Sequence, residues 1–330
     1  MDEVKVTMSQ VLEKLNMLEQ LNKPPSLTEE MLKTPREDIL IAGGNISDGK
    51  SVEIFSWEKN RWFEVSPMNE QHRCASSFNY NDQLFIVGGQ KIKTISTLDL
   101  NKLPLKWMKY PGELPYMSNG DQTVVYQHRI IHIGGFNRDQ RRRSDMISEL
   151  ELNTSPVTMK KLCRMPEPRD SHGAEIVQDK VMIFGGENCH TGPLNSVLEF
   201  NIKKNKCKEM PPLPHPLTNM TTVCWRDQVV VLGGNQTLNY RAVNDAFTYD
   251  CKTGKVTAIP SMLEKRFGHS AVITGNTIVV MGGANEECEE NLSSVEFFTM
   301  GGSTWEYLPA MNKTRIKAVA QILPSTRKYV

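Results

Sequence analysis

The stretch Leu84-Phe85-Ile86-Val87-Gly88-Gly89 is a short apolar run that ends in two glycines, and this pattern occurs six times along the chain. The six runs are Ile39–Gly44, Leu84–Gly89, Ile130–Gly135, Val181–Gly186, Val229–Gly234 and Ile278–Gly283. The first glycine of each pair lies 45, 46, 51, 48 and 49 residues after the previous one. A near-constant period of this size is typical of a repeat protein.

Each repeat has the pattern of four short strands. The apolar run is too short for a helix and suits a strand buried on both faces. The next strand alternates apolar and polar residues, as in Leu98-Asp99-Leu100, which indicates one buried face. A third strand carries Trp62, Trp107 or Trp305 in three repeats, and a fourth precedes each glycine pair, as in Gly173–Val177. Four strands per period predict one blade of a β-propeller.

The two ends of the repeat region predict how the ring closes. The first repeat begins directly with its glycine-pair strand, and Ala318–Leu323 follow Arg315 as the missing strand follows an arginine in other repeats. We therefore predict an all-β, six-bladed propeller over residues 39–323, closed by a C-terminal strand in the first blade beside Ile39. Residues 324–330 are predicted to be a tail.

Residues 1–38 are predicted to form a separate N-terminal helix and linker. Apolar residues recur there at heptad spacing, and two prolines end the pattern; these positions are Val4, Met8, Val11, Leu15, Leu18 and Pro24-Pro25. An isolated helix of this length is marginal, so it either packs on the propeller, frays, or supports a weak dimer.

Several motifs together resemble one complete kelch repeat of the kelch-like substrate receptors, which carry BTB, BACK and kelch regions. The motifs are Ser51–Phe55, Asn60-Arg61-Trp62, Pro67-Met68, Arg73 and Leu84–Gly89. The pattern recurs around Trp305 and more loosely in the other repeats, whereas the BTB and BACK regions have no counterpart in these 330 residues. The resemblance implies a six-bladed kelch propeller that captures a protein substrate, related to the adaptors of cullin-RING ubiquitin ligases.

Composition limits the classes of partner. With 39 basic and 38 acidic residues the formal charge is +1, which gives no bulk field for nucleic acid or an anionic membrane. The seven cysteines include no CxxC pair, so we expect reduced thiols and no metal. The N-terminus lacks an apolar signal region, and no apolar stretch of 18 residues occurs, so we expect a cytoplasmic protein.

Residues Gly44–Ser51 match the phosphate-loop pattern GxxxxGK[ST]. A true phosphate loop opens a helix, whose N-terminal amides hold the phosphates. Here Val52-Glu53-Ile54 continues with a period of two, which predicts a strand. We therefore expect no nucleotide and no other cofactor.

The loops after the glycine pairs are predicted to share one face with the loops that lead into the next blade. In the third repeat this loop carries Arg138, Arg141, Arg142 and Arg143, and in the sixth it carries Glu286 and Glu287. Opposite charges on opposite sides of a ring favour a partner with matching charges. The alternative is that both loops are simply solvated.

Arginines recur where the chain leads into the fourth strand of a repeat, at Arg73, Arg169, Arg266 and Arg315, with Asn119 and Asn219 near the equivalent place in two repeats. The resemblance implies that such arginines contact acidic peptides of a partner. The alternative is that each arginine braces its own blade.

The sequence therefore predicts a non-enzymatic protein-interaction module that binds a peptide or loop on the loop face. Partners implied by the resemblance are components of a cullin-RING ligase or actin, the latter through a scaffolding role. The other alternative is a small-molecule enzyme, a mutarotase or an oxidase, with its site at the mouth of the central channel. Function depends on the residues of the rim, because one fold hosts many activities.

Overall fold

The computed structural model describes residues 36–44, 48–154, 156–236, 241–285, 291–324 and 327–330. Within these ranges the fold is all-β and contains no helix. The predicted N-terminal helix and the acidic residues Glu286 and Glu287 lie outside the described residues.

The first three four-stranded sheets are built along the chain from antiparallel strands. Sheet 1 holds β1 (Ile39–Ala42), β2 (Val52–Ser56) and β3 (Arg61–Val65). Sheet 2 holds β4 (Ser76–Tyr80), β5 (Gln83–Val87), β6 (Thr94–Asp99) and β7 (Trp107–Glu113). A small sheet of β8 (Ser118–Asn119), β11 (Phe136–Asn137) and β12 (Arg142–Arg143) accompanies sheet 3, which holds β9 (Gln122–Tyr126), β10 (Arg129–Ile133), β13 (Met146–Glu151) and β14 (Thr158–Arg164).

The remaining sheets repeat this plan. Sheet 4 holds β15 (Gly173–Val177), β16 (Lys180–Phe184), β19 (Val197–Asn201) and β20 (Lys206–Met210), beside the short pair β17 (Glu187–Asn188) and β18 (Gly192–Pro193). Sheet 5 holds β21 (Thr221–Trp225), β22 (Gln228–Leu232), β23 (Ala246–Asp250) and β24 (Val256–Ala258). Sheet 6 holds β25 (Ser270–Thr274), β26 (Thr277–Met281), β27 (Val295–Thr299) and β28 (Glu306–Leu308).

The last strand, β29 (Val319–Ile322), belongs to the first sheet. It pairs antiparallel with β1, in a register that sets Ile322 opposite Ile39 and Val319 opposite Ala42. Sheet 1 therefore combines the two ends of the repeat region, in the order β29-β1-β2-β3.

The first strands of the six sheets, β4, β9, β15, β21, β25 and β29, contact one another in succession, and β29 also contacts β4. They surround a central channel of about 460 Å³. We refer to them as the inner strands.

The residues that follow the phosphate-loop match form strand β2, as predicted, and not a helix.

The hydrophobic core is divided into six clusters, each lying between two neighbouring sheets. Between sheets 6 and 1, for example, Ile39 and Ile41 pack with Val279 and Met281. Trp62 lies in the same cluster, and its indole N–H donates to the carbonyl of Pro309 at 2.8 Å. The large ring thus fills the space between two sheets while its polar atom finds a partner.

A closed ring of backbone hydrogen bonds lies where the loops lead into the inner strands. Each of six residues donates its N–H to the carbonyl of its counterpart in the preceding sheet, over 2.6 to 3.1 Å, and the ring ends when Lys317 donates to Gly268. All six have positive φ, between 53° and 67°. We call these residues the mouth ring: Cys74, Gly120, Ser171, Asn219, Gly268 and Lys317.

The glycine pairs lie beside this ring, at positions where a side chain would not fit. Gly186 has a φ of 90°, and a Cβ at this position would lie 2.7 Å from the carbonyl oxygen of Asp170. Its own N–H donates to the carbonyl of Leu217, in the next loop around the channel. Glycine is the residue that tolerates both the conformation and the close approach.

The pairing of β29 with β1 predicts that a chain ending at Lys317 is much less stable than a chain ending at Pro324. Both lack residues 325–330, but only the shorter one leaves β1 without its partner and uncovers the cluster around Ile39. We expect the shorter chain to melt roughly 10 °C lower or more, because each kcal/mol lost shifts the melting temperature by about 2–4 °C in larger domains. Thermal unfolding followed by circular dichroism measures the difference. Equal melting temperatures would contradict the contribution of β29.

Candidate partner-binding face

The loops after the glycine pairs and the loops into the inner strands meet at one end of the channel. Hydrogen bonds join them: Gly44 N–H donates to the carbonyl of His72 at 3.0 Å, and Gly135 N–H to that of Arg169 at 2.9 Å. We call this end, with the mouth ring at its centre, the mouth face. The two kinds of loop therefore share one surface, as the sequence predicts.

Arg315 is held inside sheet 1 and is only 1% exposed. Its Nη1 donates to the carbonyl of Gly43 at 2.7 Å, and its Nη2 pairs with the Glu53 carboxylate at 2.9 Å. Glu53 is itself fully buried. A buried charge of this kind needs its partner, because either group alone would be desolvated without compensation.

Arg169 and Arg266 have the same arrangement and are 0% exposed. Arg266 Nη1 donates to the carbonyl of Gly282 at 2.6 Å, and its Nη2 pairs with Glu296 at 2.6 Å. Arg169 Nη1 donates to the carbonyl of Gly185 at 2.9 Å, and burial lowers the pKa of this guanidinium. The positions of Arg169, Arg266 and Arg315 therefore correct the expectation of direct contact with a partner: each braces the glycine pair of its own sheet.

Arg73 is displaced by one residue from the place that the sequence pattern assigns to it. The equivalent place in sheet 2 is taken by His72, which is 1% exposed. Its Nδ1 lies 2.8 Å from the carbonyl oxygen of Gly88 and donates to it, so that Nε2 accepts from the Ser96 hydroxyl at 2.8 Å. Burial lowers the pKa of this imidazole, which matches a neutral donor. Arg73 itself is half-buried and donates to the Gln90 side chain at 3.0 Å.

The two predicted asparagines are not equivalent to each other. Asn219 belongs to the mouth ring, is 8% exposed, and donates from Nδ2 to the Asn235 side chain at 3.1 Å. Asn119 lies one position before the ring residue Gly120, and its Oδ1 accepts from Arg138 Nε at 2.8 Å. The structure thus places Asn219 in the framework and Asn119 at the base of the basic loop.

The basic loop of the third repeat is a hairpin with two internal and two outward arginines. Arg138 is held by Asn119, and Arg143 pairs with Asp170 at 2.9 Å and with Glu187, both in the next sheet's loops. Arg141 and Arg142 are exposed. Strands β11 and β12 fix the two arms of the hairpin, so the outward guanidinium groups are carried on a defined turn.

The channel contains a carboxyl group that the sequence pattern did not single out. Glu175 lines the channel and accepts from the Thr222 hydroxyl at 2.9 Å. Burial raises its pKa to about 8, so it carries a proton at neutral pH. A charged residue inside the apolar strand Gly173–Val177 was the available signal, since an ionised carboxylate is costly to bury.

Two histidines near the channel are neutral framework residues. His172 and His269 lie just before β15 and β25 and line the channel. Burial lowers the pKa of each imidazole to about 3. Among the described residues no group of three His, Cys, Asp or Glu side chains could hold a metal ion. In the same part of the chain no helix is long and apolar enough to cross a membrane.

Replacing Arg315 by methionine should destabilise the protein by about 3–5 kcal/mol, because the Glu53 carboxylate is left buried and unpaired. Urea unfolding measures the change. The matched control is Arg141→Met, an exposed arginine, for which we expect a change within about 0.5 kcal/mol. The double variant Arg315→Met with Glu53→Leu should recover part of the lost stability, because the unpaired carboxylate is gone. An Arg315→Met variant as stable as the parent would contradict the bracing role.

The raised pKa of Glu175 predicts how stability depends on pH. The folded state keeps the proton until about pH 8, whereas an unfolded carboxyl releases it near its ordinary value of 4.5, so stability falls as pH rises through this interval. Glu175→Gln removes this loss. We expect the variant to be more stable than the parent by about 2 kcal/mol near pH 9 and equal near pH 5, since the side chain is partly open to channel water.

Urea titrations at both pH values check this, with exposed Glu306→Gln as the control. A gain that is the same at both pH values would contradict a raised pKa and point to packing alone.

The model of the KLHDC2/KLHL20/DRC7 Kelch-repeats domain matches residues 120–323. Human Kelch-like protein 38 is 22% identical over 292 residues, which cover 82% of this chain and 47% of that protein. The F-box/kelch-repeat protein At1g51550 of Arabidopsis thaliana is 26% identical over 245 residues, 64% of this chain and 51% of that protein. The chain thus spans about half the length of these curated relatives.

A solved structure titled "Structure of YjhT" superposes with a TM-score of 0.68 at 12% identity, over 77% of this chain and 88% of that one. At this identity the likeness concerns the fold alone, and it agrees with a kelch propeller. The family model covers well over half of the chain, including sheets 3 to 6. The chain therefore belongs to the KLHDC2/KLHL20/DRC7 Kelch-repeats domain family.

Proposed function

We propose that the chain is a closed six-bladed kelch propeller that binds a peptide or loop of a partner protein on its mouth face. The observation that carries this proposal is the pair Arg141 and Arg142, which are exposed at the end of the turn and the start of β12 in a hairpin on that face. Among the described residues neither forms an ion pair, whereas their neighbours Arg138 and Arg143 are held by Asn119, Asp170 and Glu187.

The hairpin reduces the cost of binding. Asn137 lies 7% exposed, and its Oδ1 accepts from the backbone N–H of Gln140 at 3.0 Å, which closes the turn. Arg141 adopts a positive φ of 52° in this turn. Because the backbone is already ordered, a partner restricts only the two side chains, and guanidinium groups presented in this way are common interface anchors.

A partner with carboxylates facing Arg141 and Arg142 is the best match to these groups, since arginine forms two parallel hydrogen bonds with a carboxylate. The predicted acidic residues Glu286 and Glu287 remain part of the proposal, as a second region that would select a basic segment of the same partner. The relatives are named Kelch-like and F-box/kelch-repeat proteins. We accordingly propose a cytoplasmic role in substrate recognition, related to that of cullin-RING ligase adaptors. We also propose that residues 1–38 form a helix and a linker.

One observation favours a second candidate. The protonated carboxyl of Glu175 in the channel is the kind of group that a small-molecule enzyme, such as a mutarotase, uses for proton transfer. A panel of sugars followed by NMR tests it: anomer exchange accelerated by the protein and lost in Glu175→Gln would favour the enzyme.

Reversing the two outward charges with Arg141→Glu and Arg142→Glu should weaken partner binding at least about tenfold, because two charge-assisted contacts become repulsive. The partner is first recovered by affinity capture with the intact protein, and its binding to each variant is then measured by calorimetry.

The control carries the same change of charge at the opposite end of the sheets, with Lys106→Glu and Lys204→Glu, both exposed in the parent. We expect this control to bind like the parent. Unchanged binding of the mouth-face variant would exclude the basic hairpin, and capture of actin would favour the scaffolding role.

A further inference from the structure

Two cysteines face each other across the boundary between sheets 3 and 4. Cys163 lies near the end of β14 and Cys207 lies in β20, the outermost strands of these sheets. The two strands approach so closely that Cα atoms of one lie within 8 Å of Cα atoms of the other. Both side chains are half-buried and pack against the same hydrophobic cluster, which also contains Ile147 and Phe200.

The two thiols act on each other across this boundary, since the neighbouring Cys163 is one cause of the raised pKa of Cys207. Cys163 pairs in register with Ile147 of β13, and Cys207 with Phe200 of β19, so each cysteine is fixed by its own sheet and directed to the same boundary. In the structure both are free thiols. A disulfide requires Cβ atoms about 3.5–4.5 Å apart, so the two side chains have to turn towards each other within the boundary that both strands line.

We infer that Cys163 and Cys207 form a reversible oxidation site, at which a peroxide joins sheet 3 to sheet 4 through a disulfide. Peroxide is the oxidant, and the site needs no metal or cofactor. The bond would add a covalent link near the outer strands of two sheets that are otherwise joined by side-chain packing, the ion pairs of Arg143 and backbone hydrogen bonds near the channel.

The chemistry proceeds in two balanced steps. The Cys163 sulfur, as thiolate, attacks one oxygen of hydrogen peroxide, the O–O bond breaks, and a sulfenic acid and hydroxide form, the latter leaving as water after protonation. The Cys207 sulfur then displaces hydroxide from the sulfenic sulfur, which forms the S–S bond and, with the thiol proton, a second water. Two thiols are oxidised by two electrons, and one peroxide is reduced to two waters.

The environments of the two thiols determine which of them reacts first. Burial, together with the neighbouring Cys163, raises the pKa of Cys207 to about 12, so this residue keeps its proton and does not meet the oxidant first. Cys163 donates a hydrogen bond to the carbonyl of Arg164 at 3.4 Å, at the edge of the sheet. It is therefore the thiol that reacts first, and Cys207 is the resolving thiol.

The test is oxidation of the intact protein with hydrogen peroxide, followed by intact-mass measurement and peptic mapping. We expect a reversible mass loss of about 2 Da, since two thiol hydrogens are removed, and a peptide pair linked through Cys163 and Cys207. Dithiothreitol should restore the mass. The oxidised protein should melt a few degrees higher than the reduced one, because a cross-link restricts the unfolded chain.

Three single variants make the result specific. Cys163→Ser and Cys207→Ser should each abolish the linked peptide pair, and in Cys207→Ser the sulfenic acid at Cys163 should become trappable with dimedone. Cys224→Ser, a matched change in sheet 5, should leave the link intact. The inference is overturned if peroxide oxidises Cys163 without forming the link, or if the link joins other cysteines such as the exposed Cys189.

Discussion

The loops that lead into the inner strands are fixed by the mouth ring, because each of its six residues uses its backbone N–H on one neighbour and its carbonyl on the other. The ring exists only if all six residues adopt positive φ, a conformation that costs a non-glycine residue about 1–2 kcal/mol. Four of them are not glycine, so the surrounding structure has to enforce their conformation. The buried arginines, His72 and the glycine pairs supply that enforcement, since they pin the same loops from the side of the sheets.

The order of the strands follows from the same geometry. An inner strand begins two residues after its ring residue and runs along the channel. The chain then turns into the strand that ends in the glycine pair, and the N–H of the second glycine donates to the loop of the next sheet. Each sheet is thereby tied to its successor near the axis, while a separate hydrophobic cluster joins the two sheets farther out. The channel and the mouth face are consequences of this arrangement, and the outward arginines of the basic hairpin stand on a rigid base.

Much of this architecture could be predicted from the sequence, because the glycine pairs and the alternating strands report conformation and burial directly. The pairing of Val319–Ile322 with β1 was visible as a strand missing from the first repeat. The site residues were harder. Arg73 and Arg169 look equivalent in sequence, yet one residue of offset gives the buried place in sheet 2 to His72. Sequence spacing predicts only the approximate position of a residue along the chain. Which neighbouring side chain turns inward depends on the hydrogen bonds that it can form.

The mouth ring itself leaves no signature in the sequence, since its members are Cys74, Gly120, Ser171, Asn219, Gly268 and Lys317, with no shared chemistry. That diversity has a consequence for how such proteins change. The hydrogen bonds of the ring join main-chain atoms only, so the thiol, hydroxyl, amide and ammonium groups around the opening take no part in them. Evolution, or a protein engineer, can therefore rewrite recognition at the axis of the molecule while the scaffold beneath it stays the same.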